Sequence, residues 1–333
     1  MTSLSIFLRQ QDRDMRINIS IAVLSAVIVL AGCGGNSKKA EQFSALPFPE
    51  ATPPAMMEDP SDRAEYMALH YWDGITDPSR SYPCDTSFVS GVAMSELEQR
   101  FANWTSILNM IDLSHVSKSM SRLYDRASAC EKKDTSSNVF ETFADLVSKY
   151  LYDPNSPLRN EDHYALYASR LAKSEFVEAV MQEKYAREVS LSALNRIGTK
   201  ATDFRFTDKR GRMYRLYDIK AELTLLFFSN PGCKACKDII DVLNNDPSIS
   251  RLIDDGTMAV LNIYIDEDLE AWRSYMPIYP EKWYNGFDPD LVIRGENLYN
   301  VRAIPSLYLL DRDKEVIMKD APEPRLFDYL SRL

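Results

Sequence analysis

The chain has 333 residues, 45% of them hydrophobic and 26% charged. That is enough apolar material for two ordinary domains, and it excludes a chain disordered throughout. A formal net charge of −10 argues against a partner held by its phosphate backbone, so no nucleic-acid ligand is expected.

Arg9, Arg13 and Arg16 precede an apolar stretch from Ile19 to Ala31. The stretch is too short to span a bilayer and fits the core of an export signal. It ends in Leu30-Ala31-Gly32-Cys33, which resembles a bacterial lipoprotein box. The resemblance implies cleavage before Cys33 and acylation of Cys33, and several acyl chains on one residue anchor a protein without a spanning helix. Gly34 stands where an aspartate would retain a lipoprotein in the inner membrane, so a periplasm-facing place on the outer membrane is favoured. An ordinary cleaved signal with a free Cys33 is the alternative. Residues 34–56 are rich in Gly, Ser, Lys and Pro and are expected to form a tether. Export would leave the other four cysteines where disulfides persist.

From 58 to 195 the apolar residues recur at helical spacing. Asp59-Pro60 opens a segment with Ala64, Met67, Ala68 and Tyr71 on one face, ended by Gly74. Ser95 and Glu98 read as a capping box before Leu97, Phe101, Trp104, Leu108 and Ile111. Val116, Met120, Leu123, Ala127 and Cys130 form a third stripe, and Val139, Phe143, Leu146 and Tyr150 a fourth. Pro154 and Pro157 break the chain, and two more helices are expected near 160–173 and 176–195. Such stripes predict an all-helical domain with a bundle core. His70, His115 and His163 are scattered without ligand spacing, so no metal is expected there. Cys130 reads either as a small buried hydrophobe or as the disulfide partner of Cys84 in the loop "SYPCDTS". Closing that loop would stabilise the domain by about 4 kcal/mol in the chain-entropy model, and sequence leaves the pairing open.

After Asn195 the period changes. Residues 201–219 alternate around Lys209-Arg210-Gly211 and read as a hairpin. "ELTLLFFS" and "MAVLNIYID" are continuous apolar runs that suit buried strands. Residues 236–245 look helical, "SLYLLDRDKEVIMKD" forms a hairpin turning at Arg312-Asp313-Lys314, and "PRLFDYLSRL" closes the chain as a helix. The result is a mixed α/β sheet over 196–333, after a leader (1–32), a tether (33–57) and the helical domain (58–195).

Between the first buried strand and its helix lie Cys233 and Cys236, three positions apart. The pair reads as a redox couple, half of a metal site, or a structural staple. Zinc needs about four ligands; one pair with no nearby histidine leaves no metal expected. The strand running into Cys-x-x-Cys, the helix beginning there, and "AIPS" (303–306) ahead of a later strand together resemble the thioredoxin superfamily. The opening "IGTKATDF…LYDIKAELTLLFFSNPGC" looks most like membrane-anchored periplasmic reductases of the TlpA type. The whole layout resembles a bacterial lipoprotein family in which a helical domain of uncharacterised function precedes a thioredoxin-like domain. "YLYDPNSPLRNE" and "LYLLDRDKEVIMKDA" look typical of it.

The resemblance implies thiol–disulfide exchange with protein or peptide partners and no cofactor. Cys233 would attack from the first turn of a helix, where free N–H groups and the dipole favour an anion, with Lys234 adding charge beside it. Cys236 would resolve the mixed disulfide. A cis Pro305, with Ile304, would offer backbone to an extended substrate. The chain departs from the family in four places: Phe227 replaces a buried acid, Gly232 replaces a Trp, the dipeptide is Lys234-Ala235, and Ile239 replaces a TlpA-type glutamate. Pro231-Gly232-Cys233 echoes one peroxiredoxin branch, but Asn230 replaces its Thr. The missing Trp suggests that Trp283 or Tyr284, in the aromatic stretch "YMPIYPEKWYNGFD", supplies the substrate surface; packing under a long connection is the other reading. The alternative for the whole chain is an interaction lipoprotein. In it the helical domain binds a partner, and the thioredoxin fold is a scaffold with a structural disulfide.

Overall fold

The first helix forms where the sequence supplies two start signals. Asp59 caps α1 (Pro60–His70), its carboxylate accepting from the Ser61 N–H at 2.7 Å, and Pro60 occupies the first turn. The computed structural model describes residues 44–80, 82 and 87–333. The expected export signal, Cys33 and Cys84 lie outside the described residues. Among the described residues no helix is long and apolar enough to cross a membrane.

A short hairpin of β1 (Phe88–Val89) and β2 (Val92–Ala93) leads directly into α2 (Met94–Leu108). This changes the expected start. Ala93 is the N-cap and no side chain caps the helix, because β2 delivers the chain into the first turn two residues earlier. Glu98 instead pairs with Lys149 at 2.7 Å. Helices α3 (Leu113–Lys133), α4 (Val139–Val147, running on through a π turn, Ser148–Tyr152), α5 (Glu161–Leu171) and α6 (Ala179–Ser192) complete the region. The apolar stripes turn inward together. Trp72 meets Trp104 and Phe143 edge-on, with ring centres 5.8 and 4.8 Å apart, and Trp104 Nε1 donates to the Ala68 carbonyl at 2.9 Å.

Part of the expected tether belongs to this core. Phe48 is 5% exposed and packs against Tyr71 and Trp72, and Arg100 lies over its ring. Burying a phenylalanine contributes about 2 kcal/mol, which offsets the roughly 1–2 kcal/mol of backbone entropy lost in ordering a residue. Composition signalled a flexible segment; one aromatic residue between prolines holds it down.

The second half builds one sheet from β3 (Arg205–Asp208), β4 (Met213–Arg215), β5 (Leu223–Phe228), β6 (Met258–Tyr264), β7 (Tyr284–Phe287), β8 (Ser306–Leu310) and β9 (Val316–Met318), in the order β4-β3-β7-β6-β5-β8-β9. β5, β6 and β7 run parallel, while β8 runs antiparallel to β5. Both faces of β5 are covered, which is why its apolar run is continuous. Leu225 and Phe227 face α7 (Lys234–Asn245), α8 (Pro247–Asp254) and α11 (Glu323–Leu330), whereas Leu226 and Phe228 face Phe204, Tyr299 and Tyr308. The chain is thus an N-terminal helical region followed by a mixed α/β, thioredoxin-like fold. Sequence reading missed the β1–β2 hairpin, α8, α9 (Leu269–Tyr275), β7 and the short α10 (Val292–Gly295).

Candidate active site

β5 ends at Phe228, and its last residues are fixed by pairing with Ile263 on β6 and Ser306 on β8. The chain then turns through Asn230-Pro231-Gly232. Gly232 has φ +73°, and a Cβ there would meet nothing within 4 Å. The glycine therefore serves the left-handed backbone and not close packing. Asn230 steadies the turn: its carbonyl accepts from the Cys233 N–H at 3.3 Å, and its amide donates to Asp266 at 2.7 Å. Asp266, just beyond β6, is also bonded to Arg294. Neither Asn230 nor Asp266 carries a motif that sequence reading would single out.

Cys233 is the N-cap of α7 and is disulfide-bonded to Cys236, with Cα atoms 5.2 Å apart. The Cys236 N–H lies 3.1 Å from the Cys233 sulfur. Cys233 is half-buried, and Cys236 is 1% exposed, packed with Ile239 and Ile240. The outer sulfur therefore stands at the helix start, where backbone N–H groups favour a thiolate, and the inner one lies in the core. Lys234 is exposed and paired with Asp238 at 2.7 Å, so part of its charge is spent there.

The core face beneath holds neutral polar groups. Ser229 bonds Asn262 and lies 3.3 Å from the Tyr279 hydroxyl, and Asn262 donates to Asn285 at 3.0 Å. Phe227, which stands in place of the family's buried acid, is fully buried among apolar residues.

The Ile304–Pro305 bond is cis. Because Phe228 faces Ser306 across the antiparallel pair, Pro305 comes level with Ser229, where β5 departs toward the cysteines. Ile304 and Cys233 are both half-buried against the same core. The flanks of this loop are tied down by charge: Arg302 and Ser306 both bond the buried Asp320 carboxylate, at 3.0 and 2.8 Å. Burial raises the Asp320 pKa, opposed by Arg159 and Arg302.

Trp283 and Tyr284 lie at the start of β7, and Trp283 belongs to the apolar core that also buries Cys236. After β6 the chain runs back through α9 to begin another parallel strand, so Tyr284 pairs with Leu261, itself level with Leu226. That puts it two strands from β5, about 10 Å at ordinary strand spacing, and level with a residue two before the end of β5. Trp283 is 5% exposed in the core. Tyr284 lines a groove of about 390 Å³ with Arg210, Tyr214 and Met276, in which neither Cys233 nor Pro305 takes part.

Cys130 is a buried free thiol, pushed up in pKa by burial, and its candidate partner Cys84 lies outside the described residues. His70 pairs with Asp73 and His115 with Glu65, while His163 is buried on α5. No group of three or more metal-ligating side chains gathers among the described residues.

Residues 33–195 match a family described as Domain of unknown function (DUF5106). A thioredoxin-like protein from Bacteroides caccae ATCC 43185, known from its crystal structure, is 36% identical; the similarity covers 86% of this chain and 99% of that one, with a TM-score of 0.73. The C-terminal domain of an uncharacterized protein from Bacteroides fragilis NCTC 9343 is 44% identical over 41% of this chain and 98% of its own, with a TM-score of 0.40. The thiol-disulfide oxidoreductase ResA of a Bacillus cereus strain is 25% identical over 140 residues, 41% of this chain and 78% of that protein.

Proposed function

We propose, from the premise that this chain belongs to the thioredoxin-like proteins, that it is a thiol–disulfide oxidoreductase working through Cys233 and Cys236. The disulfide sits in a fold homologous to known thiol–disulfide oxidoreductases. The observation that carries the reading is the asymmetry of the pair: one sulfur half-exposed at a helix start, its partner buried one turn in.

In the reducing direction, the Cys233 thiolate bonds to one sulfur of a substrate disulfide as that S–S bond breaks and a substrate thiolate leaves. Cys236 then attacks the Cys233 sulfur, closing the Cys233–Cys236 bond and releasing the second thiolate. Two electrons pass from the dithiol to the substrate, and the reverse sequence oxidises a dithiol. Pro305 and Ile304 would lie beside the mixed disulfide and give an extended protein or peptide substrate a backbone to pair with. A reduction potential near ~−270 mV would make the chain a reductase, and one near ~−120 mV an oxidant.

The test is a trap. Cys236→Ser should accumulate mixed disulfides through Cys233, seen on non-reducing gels, and Cys233→Ser should accumulate none. No trapped species under oxidising or reducing growth conditions would favour a scaffold with a structural disulfide.

We further read the chain as an exported lipoprotein, acylated at Cys33 and facing the periplasm from a membrane, the outer membrane being favoured by Gly34. The basic and apolar leader and the Leu30–Cys33 box support this. Cys33→Ala should move the protein to the soluble fraction; unchanged membrane association would sink the assignment. The organisation that goes with it is a leader (1–32), a helical domain whose core draws in Phe48, and a thioredoxin-like domain from about residue 196.

A further inference from the structure

A buried ion cluster ties the helical region to the loop that carries the cis proline. The side chain of Glu161, first residue of α5, is 2% exposed and faces three donors from the sheet region. Asn300 Nδ2 donates to its carboxylate at 2.7 Å. The Arg302 guanidinium lies 2.8 Å from one carboxylate oxygen, and Lys319 Nζ 2.8 Å from the other. Arg302 also stacks over the Tyr152 ring at 4.2 Å. Arg159, just before α5, donates to the carbonyls of Asp320 and Ala321 at 2.9 and 3.0 Å.

Within 300–306 the polar side chains are Asn300, Arg302 and Ser306. The first two meet Glu161 directly. The third meets Asp320, which Arg302 and Arg159 also hold. Between them, Ala303, Ile304 and Pro305 have no side chain that can fix their position through hydrogen bonds. The height of that backbone is therefore set by its flanks.

Stability alone does not account for such a cluster. Desolvating several charges costs much of what their pairing returns, and apolar residues of similar volume would often hold the region as well. What the directional hydrogen bonds from Asn300 to Glu161 and from Arg302 and Ser306 to Asp320 add is a single arrangement. Here that arrangement is the position of the loop level with the exit from β5 toward Cys233.

We propose that Glu161 is a positioning residue for the disulfide site: through Asn300 and Arg302 it holds the Ala303–Pro305 backbone where an extended peptide disulfide must pair with it. The helical region is then a working part of the exchange site. The substrate class that depends on it is the extended polypeptide disulfide, not the small-molecule disulfide. This rests on the thiol–disulfide reading above.

The experiment uses the full, reduced chain with two probes. Insulin disulfides, with dithiothreitol as electron source, require an extended peptide to dock. 5,5′-Dithiobis(2-nitrobenzoic acid) needs only an accessible thiolate. Glu161→Gln should raise the KM for insulin about tenfold with kcat less affected, and the small-probe rate should stay within about twofold. A folded Glu161→Gln protein with the wild-type KM overturns the proposal. So does an equal fall with both probes, which would mark general destabilisation. If Glu161→Gln gives no cooperative melt, Asn300→Ala decides, since it removes one hydrogen bond and leaves both ion pairs: a raised insulin KM supports positioning, and an unchanged one refutes it. Wild-type protein inert to both probes would sink the exchange reading and this proposal with it, whereas active wild type with unaltered variants sinks only the proposal.

Discussion

Cys233 and Cys236 differ in surroundings more than their spacing suggests. Cys233 caps α7 with its sulfur within reach of the Cys236 N–H, and Cys236 is buried among Ile239, Ile240 and Phe227. In the reduced chain, iodoacetamide should therefore alkylate Cys233 at least about tenfold faster than Cys236, because both access and thiolate character favour it. Peptide mapping after brief labelling reads this out, and preferential labelling of Cys236 would reverse the assigned roles. Lys234 contributes less than its position suggests. It is exposed and already paired with Asp238, and exposed pairs contribute little. Lys234→Ala should accordingly change the Cys233 labelling rate by no more than about threefold.

At the scale of elements, whatever depended on local pattern was legible. The helical stripes, the β3–β4 and β8–β9 hairpins and the two buried strands follow from period, turn residues and run length. The cysteine pair was legible for the same reason: its chemistry is written in adjacent residues. α8 was missed although Asp246-Pro247 repeats the Asp59-Pro60 start signal, and its capping bonds from Asp246 are of the same kind. β7 had no local signature. "YNGF" reads as a turn, and it becomes a strand only because β3 and β6 pair with it from either side. The anchoring of loop 300–306 was invisible because Glu161 lies 139 residues from Asn300 and nothing local marks the contact. Gly286 shows how tightly β7 is fitted. A Cβ there would stand 2.5 Å from Phe206 Cδ2 and 3.1 Å from the Thr207 carbonyl, both on β3. Gly286→Ala should force the β3–β4 hairpin off its seat and destabilise the chain by about 1–3 kcal/mol. Urea unfolding at neutral pH measures it, and a loss below about 0.5 kcal/mol would mean that the hairpin yields freely.

For the molecule as a whole, the helical and sheet regions meet through largely buried charges, so pH should act on their union. His163 lies on α5 two residues from Glu161, is 8% exposed, and has its pKa lowered to about 4, first by burial and then by the positive Arg325 on α11. In the unfolded chain a histidine titrates near 6.5. Between these values the unfolded state binds a proton that the folded state refuses, so stability falls as pH drops from about 6.5 to about 4 and the effect levels off below. A difference of this size corresponds to about 3 kcal/mol. Asp320 works in the opposite sense. Its pKa is raised in the folded state, so the stability it contributes is present below the unfolded carboxylate pKa and lost as pH rises through the folded value. Comparing a variant with wild type at the same two pH values separates the two residues, because Asp320 is common to both. His163→Gln should lose about 2–3 kcal/mol less than wild type between pH 7.5 and pH 4.5 in urea denaturation. An equal loss in both proteins would show that the histidine takes up its proton without any cost to the fold.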